Sequence, residues 1–202
     1  MTNIENVRSH VKYTEIMTEE TVREQILAAA DELYYRKGYA AVGMDELRAA
    51  AGVSLRRLYG LFPAKNDIVA AVLARKHAQW ESGLSAAVTD AGDDARTRLL
   101  AVYGYLEDWF CTDDFRGCAF INAFGELGGT NPEVAEIVRS HKASFQEYMA
   151  GLVASTGASP LLAAQLSILA EGAQSTAAIS ADPQVAVQAR SAAEVLIDAA
   201  VA

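Results

Sequence analysis

Residues 44–67, MDELRAAAGVSLRRLYGLFPAKND, restrict what this chain can fold into more tightly than any other stretch. Leu47, Ala50 and Ala51 give a first short helix an apolar face. Gly52 ends it, because glycine enters the left-handed conformation of a helix stop without steric cost. Val53 plugs the gap that follows, and Ser54 is placed to accept the orphan amides of a second helix. Leu58 and Phe62, four apart, tie that helix to a core, and Pro63 stops it for want of an N–H. Two short helices joined by a tight turn, the second displaying Arg56, Arg57 and Tyr59, make a helix-turn-helix and point to double-stranded DNA.

The net charge of −9 argues against such a partner until it is divided along the chain. Residues 1–80 hold 11 Lys and Arg against 10 Asp and Glu, whereas residues 81–202 hold 6 against 16. The acidity belongs to the second part, and local clusters in the first remain able to neutralise phosphates. With 51% apolar residues, the 202-residue chain can bury a substantial core in one large domain or two small ones. No apolar run approaches the ~20 residues of a membrane span, and no compact apolar leader opens the chain. With only two cysteines, Cys111 and Cys118, a reduced, cytoplasmic protein without membrane contact is expected.

Residues 1–20 are polar and are expected to form a mobile arm. Thr21-x-x-Glu24 is a capping-box pattern that opens a helix with Val22, Ile26, Ala30, Leu33 and Tyr34 on one face, closed by Gly38. Residues 21–66 are thus expected to form the DNA-binding head and residues 67–202 a helical body. A helix from residue 66 to about 85, with Val69, Val72, Leu73 and Trp80 on one side, links the two. Gly92-Asp93-Asp94 breaks the pattern, a helix follows over residues 95–110, and residues 112–116 form a loop. Three of the four prolines then follow a capping side chain, in Asn131-Pro132, Ser159-Pro160 and Asp182-Pro183, and mark helix starts. No alternating strand pattern occurs, so the fold is read as all-α with about nine helices.

AAAGVS, then LY, then FPAKND, after an amphipathic helix ending in KGY, resembles the DNA-binding domain of the TetR (tetracycline-repressor) family over residues 22–75. The resemblance implies a homodimeric regulator that grips a duplex operator and answers to a small molecule, with residues 67–202 as the effector-binding and dimerising body and no cofactor. It also implies phosphate contacts for Tyr59 and Lys65. Leu55, Arg56 and Arg57 lie where such motifs reach base edges: arginine forks onto guanine, and leucine packs on a thymine methyl. Gly43 offers a backbone amide to phosphate, and Ser54 and Gly60 complete the DNA-facing set. Val42 and Gly43 stand where similar proteins carry a hydroxyl, and Arg56 and Arg57 stand where many carry small residues. The operator therefore cannot be transferred. The alternatives for each arginine are a solvated surface charge and a phosphate contact in place of a base.

The stretch Arg116-Gly117-Cys118-Ala119-Phe120-Ile121-Asn122, followed by Glu126, resembles one recurring in a subset of these regulators. A pocket is expected from Trp109, Phe110, Phe120, Phe124 and Tyr148, with Asn122, Glu126, Glu171 and Gln174 as polar groups on otherwise apolar helices. Those aromatics could instead be core. The acidity of the body favours a basic or neutral ligand over an anion. The last two helices are rich in small residues that permit close approach, and Val185, Ala189, Ala192, Leu196 and Ala199 form a stripe expected to pair with a second copy.

Three other readings compete. His10, His77 and His141 show no metal-ligand spacing, and no nucleophile elbow, phosphate loop or dinucleotide fingerprint is present to support a helical enzyme. Control by a protein partner, or by oxidation of Cys118, would replace the small effector; a reactive cysteine needs an activating, accessible setting.

Overall fold

Among residues 18–201, which the computed structural model describes, the chain forms helices and no strand. They run α1 (Glu19–Lys37), α2 (Met44–Ala50), α3 (Leu55–Leu61), α4 (Lys65–Asp90), α5 (Ala95–Phe110), α6 (Ala119–Leu127), α7 (Pro132–Ala154), α8 (Pro160–Ser180) and α9 (Gln184–Val201). The all-α reading with nine helices holds over these residues. Residues 1–17, most of the expected arm, lie outside them.

Helix α1 starts earlier than the capping-box pattern predicts. Thr18 is the N-cap, its Oγ1 accepting from the Thr21 amide at 3.2 Å, so residues 19 and 20 are helical. Glu19 and Glu20 suit that position because carboxylates favour the positive end of a helix. Glu24, freed from capping, pairs with Arg75 of α4 at 3.1 Å. Gly52 does adopt the left-handed conformation, at φ +67, and the Val53 amide bonds back to the Arg48 carbonyl at 3.0 Å. Of the apolar face predicted for α2, only Leu47 is buried; Ala50 is exposed, because a helix this short turns one position fully inward. Ser54 caps α3, accepting from the Arg57 amide at 3.2 Å, and Leu58 is fully buried.

Two hydrophobic clusters organise the molecule, and α4 belongs to both. Its Ile68, Val69, Val72 and Leu73 join α1, Leu47, Leu58 and Phe62, while its Leu84 and Val88 join α5, α7, α8 and α9. The head cluster also takes in Cys118, Phe120 and Ala123 near α6, and Val134 and Val138 of α7. The head therefore shares its core with the body, and the packing offers no break at residue 66. Helix α4 itself continues to Asp90, past the expected end near 85.

Pro132 and Pro160 open α7 and α8 as predicted, capped by Asn131 and Ser159. Pro183 lies one residue ahead of α9, where Asp182 Oδ1 accepts from the Gln184 amide at 2.9 Å. Helices α7, α8, α9 and α5 pack in sequence, each against the next.

Candidate functional site

The outer surface of α3 is chemically rich and sparsely engaged. Leu55 and Tyr59 are 37% and 46% exposed, and Arg56 is exposed beside them. Arg57 is half-buried, its Nη1 3.4 Å from Glu19 Oε1 across the head. Gly60 faces open space on the same helix, and Gly43 is the N-cap of α2 with no side-chain cap. From behind, Arg23 braces α3: its guanidinium lies 4.3 Å above the Phe62 ring and reaches the Leu61 carbonyl at 3.5 Å. Lys65 stands apart from this set, its Nζ donating to the Ala40 carbonyl at 3.3 Å. Burial lowers its pKa, and attraction to Glu126 partly opposes that shift.

The head is fastened to α6 and its leading loop by polar side chains that no sequence spacing marked. Tyr35 Oη donates to the Gly117 carbonyl at 2.9 Å and accepts from the Arg116 amide at 2.8 Å. Tyr39 Oη donates to the Ala119 carbonyl at 3.3 Å. Burial lifts the Tyr35 phenol to about 12 and raises Tyr39 too, so both stay protonated donors at neutral pH. Glu126 Oε2 accepts the Ala40 amide at 2.8 Å, and its carboxylate lies so close to Gly38 that a Cβ there would sit 2.9 Å from it. Glycine at 38, with φ +91, is thus required twice.

Above this junction, α1, α4, α5, α6, α7 and α8 line a cavity of about 440 Å³ whose wall includes Tyr35, Trp80, Tyr105, Trp109, Phe120 and His141. That volume suits a small organic ligand. The Trp80 ring meets Tyr105 at 5.2 Å and Trp109 at 5.5 Å, both edge to face. His141 stacks on Phe120 at 3.5 Å, and its Nδ1 lies 2.9 Å from His77 Nδ1. Desolvation, helped by the Lys142 and His77 charges, depresses the His141 pKa to about 3, so the ring is neutral. Trp80 and His141 also border a second cavity of about 350 Å³ between α4 and α7.

Of the predicted effector residues, Trp109, Phe120 and Gln174 line the main cavity, and Tyr148 lines the adjoining one. The other five lie elsewhere. Phe110 packs into the body core against Phe115 at 4.7 Å. Asn122 donates to the Arg116 carbonyl at 3.2 Å, and Phe124 is 45% exposed on the outer surface. Glu126 closes the head junction, and Glu171 forms an ion pair with Lys142. The reason is helical phase: Phe120 and Ala123 set the buried face of α6, turning Asn122, Phe124 and Glu126 away. Trp80, Tyr35, Tyr105 and His141 were missed as lining; Trp80 alone carried a signal, on the apolar side of α4.

The C-terminal stripe also needs correction. Val185 and Ala189 are buried in the protomer's own core and Leu196 packs against it, leaving Ala192 and Ala199 exposed. The large apolar side chains in solvent are Leu161, Ile168 and Ile179 on α8 and Val187, Val195 and Val201 on α9. No helix of the described residues is long and apolar enough to cross a membrane.

Comparison with known proteins agrees with this architecture. Residues 26–72 match the family model of bacterial regulatory proteins of the tetR family. A TetR transcriptional regulator from Streptomyces avermitilis superposes with a TM-score of 0.74 at 32% identity, covering 89% of this chain and 97% of that one. A TetR-family transcriptional regulator from Streptomyces coelicolor superposes at 0.85 with 26% identity, over 92% of this chain and 91% of that one. The transcriptional activator FasR of Mycolicibacterium smegmatis is 35% identical over 117 residues, 58% of this chain and 52% of its own. The repressor NemR of Escherichia coli is 28% identical over 111 residues, 54% of this chain and 56% of its own. The matched stretch thus spans about half the length of these curated relatives. The chain belongs to the TetR family of bacterial transcriptional regulators.

Proposed function

We propose that two copies of this chain bind a pseudo-palindromic duplex operator as a repressor, and that a small, largely apolar molecule in the cavity releases it. The observation that carries the DNA reading is the two-sided α3: Leu58 fully buried behind, and Leu55, Arg56 and Tyr59 in solvent in front. That face fits a major groove, with Arg56 and Arg57 toward bases and Tyr59 toward phosphate. Lys65 reaches phosphate only by leaving the Ala40 carbonyl. The exposed apolar side chains of α8 and α9 support pairing with a second copy, because a monomer rarely leaves such a surface wet. The effector reading is supported by the cavity's position against α1, the first helix of the head.

Selection from random duplexes, with sedimentation of the protein, tests this. A dimer enriching a two-fold symmetric site is expected; monomeric protein that enriches no site would refute it.

Control through a thiol has one observation in its favour. Cys118 lines the cavity, and Lys142 Nζ lies 3.4 Å from its Sγ. Operator affinity measured with and without oxidant separates the two readings. Thiol control requires a loss of affinity that Cys118→Ser abolishes.

A further inference from the structure

The cavity wall combines aromatic rings with acceptors, Asp114 and Gln174 Oε1, that no described residue engages. Both tryptophans of the chain, Trp80 and Trp109, belong to it. They meet edge to face at 5.5 Å, and both contribute aromatic surface to the wall. Indole faces carry the most negative quadrupole of the neutral side chains and attract cations.

The charges at the wall are unevenly engaged. Each cation already has a carboxylate: Lys76 has Asp31 at 2.6 Å, Arg36 has Glu32 at 2.9 Å and Arg75 has Glu24 at 3.1 Å. Asp114, at the mouth, has no ion-pair partner among the described residues. The neighbouring Arg116 is turned to the Asp113 and Phe115 carbonyls and borders a different cavity. Gln174 is 2% exposed, and its Nε2 reaches only the Ala170 carbonyl of its own helix, at 3.4 Å. Among the described residues nothing donates to Gln174 Oε1. The unused capacity of the wall is therefore the Asp114 carboxylate and the Gln174 carboxamide oxygen. An anion would find no unengaged cation and would have to pass Asp114.

We infer that the cavity takes an organic cation with an apolar, ring-bearing body. This ligand class rests on the effector role proposed above. The rings hold the body, indole faces and Asp114 attract the charge, and Gln174 Oε1 receives any N–H the ligand carries.

Because both tryptophans lie in the wall, intrinsic fluorescence of the whole protein reports occupancy directly. Two pairs of probes of matched shape and opposite charge serve: tetraphenylphosphonium against tetraphenylborate, and benzyltrimethylammonium against phenylmethanesulfonate. Titrations run at about 0.5 M salt, where attraction to the acidic surface as a whole is screened. At least one cation should bind about tenfold more tightly than its anionic counterpart. Asp114→Asn, an exposed loop substitution that leaves the melting temperature unchanged, should narrow that gap. Equal or tighter binding of the anions, no quenching by either cation, or an Asp114→Asn titration superimposable on wild type would each overturn the proposal. Operator affinity followed in parallel keeps the two readings apart. A cation that fills the cavity without weakening operator binding defeats the effector role and leaves the ligand class standing. Release by a neutral compound, with neither cation binding, does the reverse.

Discussion

Arg57 has one partner inside the protein, Glu19, and in the proposed complex a second outside it. Its contact with Glu19 is solvent-exposed, and such ion pairs contribute little to stability, about 0–1 kcal/mol. The guanidinium can therefore leave Glu19 for a guanine at small cost. Arg57→Ala should leave the melting temperature nearly unchanged, weaken the cognate operator by roughly 1–3 kcal/mol and relax one base position. Equal weakening on every sequence would reassign Arg57 to phosphate. His141 makes the opposite kind of residue, one whose charge the fold refuses. Its imidazole, ordinarily titrating near 6.5, is held to about 3 by burial and by the Lys142 and His77 charges. Between those values the unfolded chain binds a proton that the folded chain does not, so stability falls as pH drops below about 6.5. By pH 5 the loss from this one group is about 2 kcal/mol, at about 1.4 kcal/mol per pH unit. Urea denaturation of wild type and His141→Gln at pH 7 and pH 5 checks it: the variant should lose distinctly less stability on acidification.

At the scale of single helices, the ends hold most of the local strain. Helix α8 terminates in Ala181 at φ 52 and ψ 38, the left-handed region, with no glycine to occupy it. That conformation disfavours a side chain by roughly 1–2 kcal/mol, part of which glycine forfeits through its freer unfolded state. Ala181→Gly should raise stability by about 0.5–1 kcal/mol in equilibrium denaturation, and a decrease would show that the turn is not strained. Helix ends also show what a sequence displays. Gly52, Ser54, Pro132 and Pro160 act locally, through φ, a hydroxyl or a missing N–H, and their roles were legible without any tertiary knowledge. Helix α6 was not legible in the same way. It is short and apolar nearly all round, so nothing in it said that Phe120 turns inward and Phe124 outward. Glu126 likewise gave no sign that its partner is an amide 86 residues earlier in the chain. The exposed face of α3 was readable because one helix carries it; the cavity was not, because six helices meet to make it.

In the proposed dimer, two requirements act on one object: a second copy would fix the distance between heads, and an occupied cavity would change it. Ile168 and Ile179 stand 70% and 87% exposed on α8, uncovered by any of the described residues. Ile168→Glu should therefore abolish dimerisation in sedimentation and, with it, operator affinity, while leaving the helical content of the protomer intact. Persistence of the dimer would place the interface elsewhere. Coupling to the cavity follows from shared packing. Phe120 lines the cavity and also belongs to the head's core, and α4 runs from that core past Trp80 into the body. A ligand that displaces either ring must shift α6 or α4 against the head. Adjacent half-sites on one face of DNA lie about 34–36 Å apart, so a shift of a few ångströms disengages one recognition helix. If ligand and operator prefer different separations, each must weaken the other by the same factor, typically about 5–150-fold. Phe120→Ala, by uncoupling cavity from head, should shrink that factor while the ligand still binds. The check is a closed cycle: operator affinity with and without ligand by fluorescence anisotropy, and ligand affinity with and without operator by tryptophan quenching. Unequal factors in the two directions would show that more than one ligand or one site is involved. A factor of one in both would show that the cavity does not regulate the head.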